Sequence, residues 1–204
     1  MKYGKLGSSD LLVSNVCLGT MTWGSQNTEG AYVHNHQRRA LLTSVYAEEA
    51  HEQLDAFIAL GGNFIDTAEL YPVPPDAKYG GATEEIIGNY LSKHPGVREK
   101  LVIATKVSGP TTSNWIPANR EKALTGSWDD TALLPRLKPE QIKRACQASL
   151  KRMKTDYIDL YQLHWPDRYT PLWGSFVYVF LATDKWALPT RADSFPVRPQ
   201  KPGI

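Results

Sequence analysis

The sequence predicts an α/β fold built on a parallel sheet. Three observations carry that expectation. Strand-like and helix-like stretches alternate along the chain, each main strand is almost continuous in apolar residues, and a glycine–serine turn near the start separates two short strand-like runs. Alternation of this kind calls for helical crossovers between parallel strands. Strands that are apolar throughout are strands covered on both faces.

The elements follow in order. Lys2 to Leu6 and Leu11 to Ser14 flank Gly7-Ser8-Ser9-Asp10 and read as a hairpin. Asn15 to Leu18 is expected as the first buried strand, stopped by Gly19. Glu49 to Leu60 has helical spacing, with Leu54, Phe57 and Ile58 on one face and Gly61-Gly62 as the stop. Asn63 to Asp66 is the second strand. Thr83 is expected to cap a helix through Leu91, with Glu84 and Glu85 in its first turn, where negative charge suits the helix dipole. Leu101 to Lys106 is the third strand. Pro139 opens another helix, whose apolar stripe is Ile142, Ala145, Cys146, Leu150 and Met153. Tyr157 to His164 is the fourth strand. Such a series fits either a doubly wound sheet or a (β/α)8 barrel. No GxGxxG follows the first strand, which removes the main support for a dinucleotide-binding doubly wound domain.

Two segments fit this scheme poorly. Residues 31–46 are too long for a simple strand-to-helix connection, which usually takes about 2–6 residues. Residues 176–204 carry Pro189, Pro196, Pro199 and Pro202 and are expected to be irregular. The remaining 1–175 reads as one partial domain.

Composition narrows the function classes. The 204 residues are 42% hydrophobic and 22% charged, an ordinary globular balance. A net charge of +2, with Lys and Arg scattered among acids, gives no nucleic-acid or membrane surface. No apolar run approaches the roughly 20 residues that span a bilayer, and the start shows no secretory signal. Cys17 and Cys146 lie in apolar surroundings and read as buried thiols of a reducing compartment, the cytoplasm.

Chemistry gathers at the strand ends. Asp66 ends the second strand, Tyr71 follows five residues later, Lys106 ends the third strand and His164 the fourth. Asp66 shares strand parity with Phe64, Lys106 with Val102 and Ala104, and His164 with Ile158 and Leu160. Side chains of one parity face one way, so the four are expected above the inner side of the sheet, at its C-terminal edge. Singly, each has a plainer reading: a turn-ordering aspartate, a loop aromatic, a solvated lysine, a core or capping histidine. Trp23 either lines a pocket or covers the core.

In these stretches the sequence resembles the aldo-keto reductases, above all their Tas-like branch. The similarity is carried by MKYGKLGSSDLLVSNVCLGTMTWGSQNTE, HEQLDAFIALGGNFIDTAELYPVPP, GATEEIIGNYLSKH, REKLVIATKVSGP and SLKRMKTDYIDLYQLHWPDRYTPLWG. The resemblance implies a (β/α)8 TIM barrel, of which this chain holds the hairpin and about four βα units. It implies reduction of small aldehydes or ketones by NADPH, with a catalytic set landing on Asp66, Tyr71, Lys106 and His164. It places Gly19, Thr20, Met21 and Asp66 beside the nicotinamide ribose; the plainer reading of the first three is a glycine turn with a buried methionine. The family's further cofactor contacts, after strands five to eight, have no counterparts here, so low activity is expected of these 204 residues alone. A non-catalytic binding module or an inactive fragment on the same scaffold is the alternative.

Overall fold

The computed structural model describes residues 1–24, 47–111 and 113–168, so the expectations for 31–46 and 176–204 lie outside the described residues. Strands β1 (Tyr3–Lys5) and β2 (Leu12–Ser14) form the antiparallel hairpin, in register Tyr3↔Ser14. Strands β3 (Cys17–Gly19), β4 (Phe64–Asp66), β5 (Val102–Val107) and β6 (Leu160–Leu163) form one parallel sheet in sequential order. Helices α1 (Ala47–Ala59), α2 (Ala82–Lys93), α3 (Trp115–Thr125) and α4 (Pro139–Met153) complete the described elements.

The core lies between the sheet and these helices. Leu54 and Phe57 of α1, Ile86 and Ile87 of α2 and Met153 of α4 pack with Ile65 and Ile103. Fully burying an aliphatic side chain of this size contributes about 1.5–3 kcal/mol. Trp23 belongs to this cluster, with its indole N–H donating to Gln53 Oε1 at 2.9 Å, so it covers the core. Helix α4 turns a face of Ala145, Ala148, Ser149, Arg152 and Met153 inward, rotated from the expected stripe; Ile142, Cys146 and Leu150 are half-buried. The small residues let α4 close on α2, where a Cβ at Gly88 would lie 2.2 Å from the Arg152 carbonyl oxygen.

The hairpin docks on the N-terminal end of the sheet through Asn63, the residue before β4. Asn63 Oδ1 accepts from Ser14 N at 2.7 Å, its Nδ2 donates to Leu12 O at 2.9 Å, and Tyr3 Oη donates to Gly61 O at 2.5 Å. The C-terminal end of the sheet is therefore the open mouth.

Five local expectations differ from the structure. Gly19 continues β3 instead of stopping it, because it pairs with Asp66 and the next amide, Thr20 N, still donates to Asp66 O at 3.0 Å. Gly81, in a left-handed conformation with φ 82°, caps α2 in place of Thr83, whose hydroxyl is shared with Thr67 Oγ1 at 2.8 Å. Glu84 is buried against Arg152 rather than lying in solvent at the helix start. Ile158 packs on the core cluster and not on the inner face. The reason is that β6 starts only at Leu160, and the Asp159 carboxylate turns to accept Arg98 Nη2 at 2.7 Å and Ile103 N at 2.9 Å. Cys17 is exposed, because it sits on the edge strand; both cysteines are free thiols. Helix α3 had no sequence signal. Its buried residues, Ile116, Pro117, Ala118 and Arg120, make no apolar stripe of the usual kind.

Candidate active site

The parallel register places the ends of the strands side by side. Asp66 lies opposite Ala104, and Lys106 lies opposite Gln162. The β5–β6 ladder runs one step further, with His164 N donating to Val107 O at 2.9 Å. Side chains at 66, 106, 162 and 164 thus rise from one face of the sheet at its C-terminal edge.

Lys106 is the hub. Its Nζ donates to Asp66 Oδ2 at 2.6 Å, to Thr67 O at 2.8 Å and, at the limit of bonding distance, to Tyr71 Oη at 3.5 Å. All three ammonium hydrogens therefore have acceptors. The other Asp66 oxygen accepts from Gln162 Nε2 at 3.4 Å. The Tyr71 ring stands edge-on to His164, with centroids 5.6 Å apart and planes at 80°. Asp66, Tyr71, Lys106 and His164, expected together from the sequence, are together. Gln162 was not singled out; its parity with His164 was the signal that could have found it.

His164 is held neutral. Burial pushes its imidazole down, and the Lys106 charge pushes it further, to about 4. Its Nδ1 is buried with no hydrogen-bond partner among the described residues. A proton on Nε2 would leave only a lone pair unmet at Nδ1. Trp165 packs against the ring at 4.9 Å and donates its indole N–H to Pro110 O at 3.0 Å. That indole occupies the space a Cβ at Gly109 would need, 2.4 Å from it.

The residues expected to meet a nicotinamide ribose lie on the β3 side. Among the described residues no atom lies within 4 Å of a Cβ built at Gly19, which neighbours Asp66 across the ladder. Thr20 is fully buried, and its Oγ1 has no partner among the described residues. Met21 is 37% exposed, which corrects the buried-methionine reading, and its carbonyl accepts from Val73 N. An open shelf, an unmatched hydroxyl and a carboxylate side by side fit a polyhydroxylated ligand edge.

A site of this make-up can give a proton to an oxygen and stabilise the charge that develops there. A sequence model of the Aldo/keto reductase family matches residues 15–188. The chain belongs to that family. Among curated aldo/keto reductase relatives, Protein tas of Escherichia coli K12 is 42% identical over 178 residues, covering 87% of this chain and 42% of that protein. The NADH-specific methylglyoxal reductase of Escherichia coli K12 is 33% identical over 175 residues, covering 84% of this chain and 45% of its own. A solved thermostable aldo-keto reductase, in complex with the inhibitor epalrestat, superposes with a TM-score of 0.51 at 30% identity, over 81% of this chain and 43% of that one. The chain thus spans less than half the length of these aldo/keto reductase relatives. The likeness and the sequential parallel sheet agree with part of a (β/α)8 barrel. Among the described residues, no helix is long and apolar enough to cross a membrane.

Proposed function

We propose that the chain carries the carbonyl-reducing centre of a nicotinamide-dependent reductase acting on small aldehydes or ketones, with NADPH as the reductant. The single observation behind this reading is the Lys106 ammonium set between the Asp66 carboxylate at 2.6 Å and the Tyr71 phenol at 3.5 Å. The bound nicotinamide supplies the hydride.

The chain's own residues do the rest. The carbonyl oxygen gains negative charge as its carbon is reduced, and it needs a proton. Tyr71 Oη donates it, and the adjacent Lys106 charge stabilises the phenolate left behind. Asp66 holds the ammonium in place, and Gln162 holds the free oxygen of Asp66. His164 Nε2–H, uncharged, donates a hydrogen bond that orients the carbonyl oxygen. Gly19, Thr20, Met21 and Asp66 would hold the nicotinamide ribose. The two free cysteines suit a reducing compartment, the cytoplasm.

Oxidation of NADPH with a panel of reactive aldehydes, followed for this chain and for Tyr71→Phe, tests the reading. The four described strands of the parallel sheet leave two edges, so turnover by the 204 residues alone is expected to be low. Whatever turnover occurs should fall by about 10²–10⁴ in the variant, the usual worth of a positioned general acid. Equal rates in the two proteins would overturn the role given to Tyr71.

A further inference from the structure

The loop between β4 and α2 carries Tyr71, and it also carries a buried acid that the chemistry above does not use. Glu69 is 2% exposed and Arg120 of α3 is 2% exposed. Arg120 forks onto the carboxylate, Nε to Oε2 at 2.8 Å and Nη2 to Oε1 at 2.7 Å. Glu69 Oε1 also accepts the Ser108 amide at 2.6 Å.

The backbone explains why that amide matters. Strand pairing between β4 and β5 ends at Asp66↔Ala104. The ladder nevertheless continues into the loop, with Thr67 N donating to Ala104 O at 2.9 Å and Glu69 N to Lys106 O at 3.3 Å. The next donor on the β5 side is Ser108 N, and the acceptor it finds is a side chain, not a backbone carbonyl. Glu69 therefore grips the backbone on both sides of Val107, beginning at the Lys106 carbonyl. Two residues on, Tyr71 N closes a tight turn onto Ala68 O at 3.0 Å, and Tyr71 O accepts from Gly81 N at 2.9 Å. Glu69 and Tyr71 thus share one short hydrogen-bonded turn.

Building on the reductase reading, we propose that Glu69, fixed by Arg120, is a positioning residue. Its carboxylate replaces the next rung of the β4–β5 ladder and sets Tyr71 against Lys106 and His164. This also gives α3 a purpose that its weak apolar face does not. The helix brings Arg120 to Glu69 and Asn119 Nδ2 to Gly80 O at 2.6 Å, buttressing the loop at both ends. Burial alone would raise the Glu69 carboxyl, but the Arg120 charge and the hydrogen bonds from Arg120 and Ser108 outweigh it and hold the group below its ordinary value. It stays an ionised, acceptor-only anchor.

The test uses the 204-residue chain and paired substitutions, because removing one partner alone strands a buried charge. Glu69→Gln with Arg120→Met removes both charges and keeps an acceptor for Ser108. Glu69→Leu with Arg120→Met removes the acceptor as well. Arg120→Lys keeps the charge and loses the fork. The readout is the nuclear Overhauser contact between the Tyr71 and His164 rings, with thermal melting and β3–β4 cross-strand contacts as controls of folding. The contact should weaken in Arg120→Lys and in the Gln/Met protein, which both lose the Arg120 fork, and vanish in the Leu/Met protein, which also loses the Ser108 acceptor, with β3–β4 contacts retained. Where turnover is measurable, kcat should fall about 100-fold on loss of the contact, the cost of roughly 1 Å of misplacement, with KM for the aldehyde little changed. A folded Leu/Met protein with the contact at full strength would overturn the proposal. Loss of the contact in the Gln/Met protein as complete as in the Leu/Met protein would overturn it too, since only the former keeps an acceptor for Ser108. If the Leu/Met protein fails to fold, an undiminished contact in Arg120→Lys overturns it. The ring contact is read without turnover, so absence of carbonyl reduction tells against the reductase reading alone.

Discussion

Two ion pairs of nearly equal length flank adjacent residues of β5. Lys106, on the mouth side, meets Asp66 at 2.6 Å, with side chains 13% and 30% exposed. On the helix side, Thr105 donates to Glu84, which meets Arg152 at 2.7 Å, with the Arg152 and Glu84 side chains 4% and 0% exposed. The outer pair is enclosed by α2, α4 and the sheet. The inner pair keeps an open side, and the groups along that side are Tyr71, Gln162 and His164. The same bond therefore has two consequences. Enclosed, it ties three elements together and makes the removal of one partner alone costly. Left open, it costs little in stability and presents a fixed cation to whatever enters the mouth.

The first way to break this comparison is at the mouth. Lys106→Met should lower the rate of carbonyl reduction by about 10²–10⁴, through loss of the cation beside the proton donor. Its urea unfolding midpoint should move little. A large loss of stability would mean that the mouth pair is structural after all.

The second is at the enclosed pair. Arg152→Met leaves the Glu84 carboxylate buried and unpaired, which costs about 3–5 kcal/mol. Equilibrium unfolding in urea reads this directly. Glu84→Gln added to Arg152→Met should recover most of the loss, and failure to recover would place the stability in packing rather than in charge.

The smallest effect sharpens the comparison through His164. A free histidine titrates near 6.5, whereas burial and Lys106 bring His164 to about 4. Between those values the unfolded chain takes up a proton that the folded chain refuses. The contribution to stability is therefore complete above about 6.5 and is lost as the pH falls towards the folded value. Imidazole resonances assigned with His164→Gln should show a midpoint about 4. A midpoint at the free value would mean that water reaches the ring.

Much of this was legible in the sequence. The strand order and Asp66, Lys106 and His164 could be read because each strand announces itself as an apolar run and each of these residues stands at or next to the end of one; Tyr71 lies in the loop after β4. Parity then put Asp66, Lys106 and His164 on one face. It misled at Ile158, where the regular alternation had not yet begun. The outer layer was far less legible. Glu69, Glu84, Arg120 and Arg152 have the composition of solvated residues, and nothing local shows that each has a partner on another element. The partners are 51 and 68 residues apart along the chain. Helix α3 was invisible for the same reason, since part of its buried face is an arginine.

The hairpin floor has a consequence for handling the protein. Tyr3 is bonded to Gly61, and the Met1 side chain lies 3.2 Å from where a Cβ at Gly61 would stand. Both are at the end of the sheet opposite Lys106 and His164. An affinity tag or fluorescent fusion joined at Met1 would thus leave from the end of the sheet opposite the chemistry. The Asn63 amide that fastens the floor serves as donor and acceptor at once, a pairing a carboxylate of the same size cannot reproduce. Deamidation of Asn63 in storage would loosen that attachment from below, while every group at the mouth kept its chemical identity.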